Sequence, residues 1–334
     1  MTKLENNKKS VEEELQKHKE QAQQGYRYYK DTVNKCYTQG ERIRQLEDKD
    51  NLSADERAEL DDLKDTFVAV LSLDYQMTKQ IPYWGRSAQP ASTYYKMKLN
   101  VDICCIVDHC TGQAHIFLFD ERLGPKCADH TLSLLTRHVN TKVPDWVGDV
   151  QVFMDNAAIN KNKYLSGWLQ EMTSRFNSCR ASFMLPGHTK FIPDWVFAGI
   201  AHTYRVSDVF TMPELLDIAG MYGNANILSG ADDISEWRDV ITSKYSDLPG
   251  IQQLHDIRAC RQPNSVRCEV RTLCWDGDWQ QSPQIVIDPS ADVVPVAYRQ
   301  LHIISTAKRQ HVITMYNRWI PEERRLPFLP DRPV

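Results

Sequence analysis

No stretch of this 334-residue chain approaches the roughly 20 consecutive apolar residues that a membrane-spanning helix requires. The N-terminus is polar and highly charged, which also excludes a signal peptide there. An intracellular protein is expected, nuclear if its host is eukaryotic. Cys-x-x-Cys pairs are missing, and the nine cysteines are an odd number without framework spacing, so reduced thiols and no disulfide are expected. A Gly-rich phosphate loop, a Gly-x-Ser-x-Gly elbow and a dinucleotide fingerprint are absent as well. Kinase, hydrolase and dehydrogenase readings lose their main support, and with them any small-molecule cofactor. Nor is there a basic excess. The net charge is -4, whereas a protein that grips DNA alone usually carries a positive face.

That acidity is local. Residues 41–66 hold ten Asp/Glu against five Lys/Arg, while the tail from Tyr298 has seven Arg/Lys and three acids. Gly and Pro hardly occur over residues 8–66, which are rich in Glu, Lys, Gln and Arg; residues 1–66 therefore read as a helical hairpin or short coiled coil. Ser53-Ala54-Asp55-Glu56 is a capping box for its second helix. Such a segment serves as a solvated spacer, as an arm for homodimerisation or as a grip on a nucleic acid end.

From Phe67 the period changes. Residues 67–75 (FVAVLSLDY) and 150–156 (VQVFMDN) are apolar on both faces, as central strands covered by two layers must be. Residues 96–108 alternate, and Thr111-Gly112 turns them into a partner strand at 113–121. Helical spacing follows at 128–140 and at about 160–176, then a strand at 181–185 and a helix from Pro193. The order predicts an α/β fold: a ribonuclease H-like, mixed five-stranded sheet over residues 67–210, with the first and fourth strands parallel neighbours. Residues 211–334 read as an α+β extension packed on that core, with helices at 212–222 and 300–319 and strands at 264–275 and 282–288.

Asp74 and Asp155 end the two strands buried on both faces. An ionised carboxylate there must sit at the rim, be paired, or bind a metal. If the strands are parallel neighbours, both acids emerge at one end of the sheet, where their repulsion is relieved by a divalent cation of the kind that prefers oxygen ligands. Asp194, after Pro193 in the first turn of a helix, supplies a third acid. Three carboxylates could hold two Mg²⁺ or Mn²⁺ ions for in-line phosphoryl transfer on a DNA phosphodiester. Asp102 and Asp108 are rivals for the first position. Both lie on the polar face of the alternating strand, where charge needs no special reason, so Asp74 is preferred. His188 is the best additional site candidate, and Asn156, Lys161 and Lys190 are candidate phosphate contacts; Trp195 is expected in the core. Cys104, Cys105, His109, Cys110 and His115 invite a zinc reading, but adjacent strand cysteines point to opposite faces, so zinc is set aside.

The segments SLDYQMTKQIPYWGRSAQPASTYYKMKLNVDICCIVDH, MDNAAINKNKY and FMLPGHTKFIPDWVFAGIAHTYR resemble an uncharacterised domain family of eukaryotic transposon-like reading frames, of the domain of unknown function 7869 type. Gly187 to Asp194, GHTKFIPD, is the most specific piece. The chain keeps Asp155, Asn156, Asn160, Lys161 and Asn162 of the family's second motif but carries Ala157 where Cys is usual and Ile159 where Gln is usual. The same layout looks like the DDE transposases, and that resemblance implies Asp74, Asp155 and Asp194 as metal ligands of a nuclease or strand-transfer enzyme. The alternative is a transposase core that has lost catalysis and acts as a nucleic-acid-binding or scaffold module.

Overall fold

A computed structural model describes residues 3–185, 190–284, 286–288, 294–298 and 301–325, with side chains from Ser10 onward. Two helices come first, α1 (Lys3–Glu47) and α2 (Ala54–Asp65). Their hairpin is held by ion pairs of Arg42 with Glu59 at 2.6 Å and of Lys64 with Glu47 at 2.6 Å. Ser53 and Glu56 form the capping box at the start of α2. The outer half of α1 is exposed, whereas Ala22, Tyr29, Cys36, Ile43 and Leu46 form a buried stripe. The helix thus lies on the sheet over its second half.

The strands are β1 (Val68–Tyr75), β2 (Lys79–Ile81), β3 (Tyr83–Trp84), β4 (Leu99–Asp108), β5 (Gln113–Asp120), β6 (Asp149–Met154), β7 (Ser178–Phe183), β8 (Asp208–Val209), β9 (Asn224–Leu228), β10 (Asp256–Gln262), β11 (Ser265–Arg271) and β12 (Gln280–Gln281). Between them run α3 (Ala128–Lys142), α4 (Lys163–Glu171), α5 (Ile192–Arg205), α6 (Met212–Gly220) and α7 (Trp237–Lys244), with α8 (Thr306–Trp319) last. One mixed sheet of ten strands runs β12-β11-β10-β7-β6-β1-β4-β5-β9, with β2 on β4; β3 and β8 form a separate pair. β1 pairs in parallel with β6 and antiparallel with β4. Helices α1, α5 and α6 cover one face, and α3, α4 and α7 the other.

The expected five-stranded sheet is corrected to ten strands, because residues 211 onward add four strands at its two edges and β2 pairs with β4. β9 adds in parallel to β5, and β10 pairs antiparallel with β7, whose outer edge would otherwise present unpaired backbone groups. β10 escapes a reading by hydrophobic pattern because four of its seven residues are polar and the buried one, Asp256, is held by ion pairs. Asp256 is fully buried between Arg180 at 2.5 Å and Arg271 at 2.7 Å, and accepts the Ser182 hydroxyl at 2.9 Å. Trp279 receives the guanidinium planes of Arg258 and Arg271 at 4.0 and 4.5 Å. The helix expected over 160–176 is shorter, because Asn162 caps α4 by accepting from the amides of Tyr164 and Leu165 at 3.1 Å each. Residues 155–162 form the turn before it.

Candidate metal centre

Leu73 of β1 lies beside Met154 of β6 in parallel register, so Asp74 and Asp155 leave neighbouring strands at the same height. Residues directly opposite in a ladder share a face, and faces alternate along a strand. Asp74 opposes Cys105, which packs in the cluster containing Phe197 and Ile200 of α5. Phe153, two residues before Asp155, opposes Ser72, two before Asp74, and packs against Tyr29 of α1. Both acids therefore belong to the face that carries α1 and α5, and α5 brings Asp194 to it in its first turn.

The rivals for the first position lie elsewhere. Asp102 alternates with Cys105 onto the opposite face, where it accepts from Thr78 Oγ1 at 2.5 Å and pairs with Lys126 at 3.3 Å. Asp108 opposes Leu71, nearer the start of β1, and accepts the Cys110 amide at 2.8 Å.

Asp155 acts on both of the other acids. Burial, then the charge of Asp155 and also that of Asp194, push Asp74 up to about 7, against the pull of the Tyr75 amide and Lys126. Asp194 is raised as well, by burial first and by Asp155, although the Phe191 amide works against this. Each carboxylate commits one oxygen locally: Asp74 Oδ1 to the Tyr75 amide at 2.7 Å, Asp194 Oδ2 to the Phe191 amide at 2.9 Å, and Asp155 Oδ1 to the Ala157 amide at 3.2 Å and Asn160 Nδ2 at 2.7 Å. No hydrogen bond among the described residues reaches the second oxygen of any of them.

Two buried amide oxygens flank the acids without a partner among the described residues, Gln76 Oε1 and Asn156 Oδ1. Gln76 is fixed by donating from Nε2 to the Phe197 carbonyl at 2.8 Å. Sequence reasoning passed over it; the signal was its i+2 spacing from Asp74, which places it on the same face. Carboxylate and amide oxygens are the ligand types that a hard divalent cation prefers. As they stand, no three His, Cys, Asp or Glu side chains among the described residues are gathered tightly enough to hold a metal ion.

The remaining expectations divide. Lys161 is buried, 2% exposed, with Nζ donating to the Gln252 carbonyl at 2.9 Å above the Phe183 ring, and burial lowers it to about 8. It is a structural lysine and not a surface phosphate contact. Lys190 is exposed just before α5. His188 lies outside the described residues. Trp195 corrects its expectation: it is 77% exposed on the outer side of α5, since Phe197 and Ile200 take the buried positions of that helix. The zinc candidates are dispersed. Cys104 and Cys105 face opposite clusters, and His109 bonds Ser72 at 2.6 Å.

No helix among the described residues is long and apolar enough to cross a membrane. No curated protein and no solved structure matches the chain. The family model described as Domain of unknown function (DUF7869) matches residues 91–276, more than half of the 334 and inclusive of Asp155 and Asp194. The chain belongs to the DUF7869 family.

Proposed function

We propose that the protein is a transposase-derived, metal-dependent nuclease or strand-transfer domain of the ribonuclease H-like fold, acting on DNA phosphodiesters. The supporting observation is that two parallel strands and a helix start bring Asp74, Asp155 and Asp194 to one face, where the other two acids help to raise Asp74. The sheet adds support. Its central five strands, β5-β4-β1-β6-β7, follow the order third, second, first, fourth, fifth, with only the second of them antiparallel to the rest. This order supports the ribonuclease H-like reading.

Asp74, Asp155 and Asp194 would hold two Mg²⁺ or Mn²⁺ ions, with Asn156 and Gln76 offering neutral oxygens beside them. Two such ions supply activation of a water or 3′-hydroxyl and stabilisation of the leaving oxygen. The chain's own part is to fix the carboxylates on rigid elements. The exposed Lys190 gives the rim positive charge for a phosphate backbone. DNA is then the partner and the nucleus the expected compartment in a eukaryote. Val11 and Leu15, exposed on the outer half of α1, support homodimerisation through that helix.

One observation favours the second reading, a catalytically retired core acting as a nucleic-acid-binding or scaffold module: Asp155 Oδ1 already has two donors, Ala157 N and Asn160 Nδ2. Nicking of labelled DNA in Mg²⁺ or Mn²⁺ by wild type and Asp155→Ala separates the two. Loss of nicking in the variant supports the enzyme, and equal behaviour of both proteins overturns it.

A further inference from the structure

Tyr29 of α1 is buried, 4% exposed, where the three acid-bearing elements meet. Its hydroxyl accepts from Ser72 Oγ at 3.2 Å and from the Ile192 amide at 3.4 Å. Its ring stands edge-on to Phe153 at 5.0 Å and to Phe191 at 5.2 Å. Ser72, Phe153 and Ile192 each lie two residues before one of the acids Asp74, Asp155 and Asp194. One side chain thus touches the approach to all three, although it belongs to none of their elements.

We infer that Tyr29 is a positioning residue that fixes the start of α5 against β1 and β6 and so sets Asp194 relative to Asp74 and Asp155. The inference rests on the metal-binding reading above. Two independent kinds of contact carry it. The hydroxyl joins the Ser72 side chain of β1 to the first turn of α5, and the aromatic edge contacts fill the space between β6 and that same turn. Because Phe191 also lends its amide to Asp194 Oδ2 at 2.9 Å, a shift of the Phe191 ring is passed directly to the carboxylate. α1 is then more than a spacer, since its second half completes the wall behind the acids. Groups that orient ligands from behind typically change metal affinity by 10–100-fold when altered.

The test compares wild type, Tyr29→Phe and, as control, Tyr28→Phe, which removes a hydroxyl bonded to Gln151 Nε2 at 3.1 Å from the same helix. Two readouts are taken on the full chain: amide hydrogen exchange at residues 191–194 without metal, and Mn²⁺ affinity by calorimetry. Tyr29→Phe is expected to exchange faster at 191–194 and to bind Mn²⁺ roughly tenfold more weakly, with a thermal midpoint close to wild type. Tyr28→Phe is expected to leave both readouts unchanged. Unaltered exchange in Tyr29→Phe overturns the positioning role, as does equal weakening by the two variants. If wild type itself binds no Mn²⁺, the metal-binding reading fails, while the exchange data still decide whether Tyr29 fixes α5.

Discussion

Gln76 and Phe197 are joined by a hydrogen bond of 2.8 Å from the glutamine amide to the helix carbonyl, which ties the segment after β1 to α5. The tie keeps the end of β1 and the helix that carries Asp194 at a fixed spacing, and it leaves Gln76 Oε1 buried and unpartnered among the described residues. A buried acceptor in that state costs about 1–3 kcal/mol unless something donates or coordinates to it. Asp74, on the same face two residues earlier, is raised for a related reason, its charged form being poorly solvated.

The pH dependence of stability follows from that carboxyl. Burial, then Asp155 and Asp194, lift it from the ordinary 3.8 to about 7. Between those values the folded protein binds more protons than the unfolded chain, so the contribution of Asp74 is most favourable below pH 4 and declines as pH rises toward 7. Urea unfolding of the metal-free protein at a series of pH values is expected to show this decline, on the order of 4 kcal/mol. Asp74→Asn should flatten it, and Mn²⁺ should flatten it in wild type. An equal slope in Asp74→Asn contradicts the assignment.

Asp256→Ala is expected to destabilise the fold by about 3–5 kcal/mol, because it strands Arg180 and Arg271 in a buried setting. The unfolding midpoint in urea measures it. A loss below about 1 kcal/mol would show that these guanidiniums reach water without Asp256.

Lys190 and Lys161 should behave oppositely in DNA binding. Lys190→Ala, at an exposed position, is expected to weaken binding across sequences and to lower the salt slope by about 1. Lys161→Met should leave that slope unchanged, because its ammonium is committed to the Gln252 carbonyl. Fluorescence anisotropy over a range of salt concentrations distinguishes them, and a reduced slope in Lys161→Met contradicts the buried role.

Much of this centre was legible in the chain. The strands of Asp74 and Asp155 announce themselves by being apolar on both faces, and Pro193 marks the helix start beside Asp194. Strand alternation correctly put Asp102 and Asp108 on the face of β4 away from Asp74, but that face was read as half exposed and is instead largely buried, with Asp108 held by the Cys110 amide. Trp195 and Lys161 were misread because hydrophobicity and charge fix a residue's average preference and not its side of a helix or turn. Phe197 and Ile200 occupy the buried positions of α5, and Lys161 is folded inward by the turn that Asn160 and Asn162 build. β10 stayed hidden because Asp256, Arg258, Arg261 and Gln262 give it a polar sequence, and only the pairing with Arg180 and Arg271 explains the burial of Asp256. Tyr29 could not be read at all, since nothing local to α1 shows which strands it meets.

Anomalous scattering from crystals soaked in Mn²⁺ tests the central claim most directly. The account predicts one or two peaks within about 2.0–2.5 Å of oxygens from Asp74, Asp155 and Asp194, lost in Asp155→Asn. Peaks confined to other carboxylates, or the same peaks retained in the variant, would contradict it.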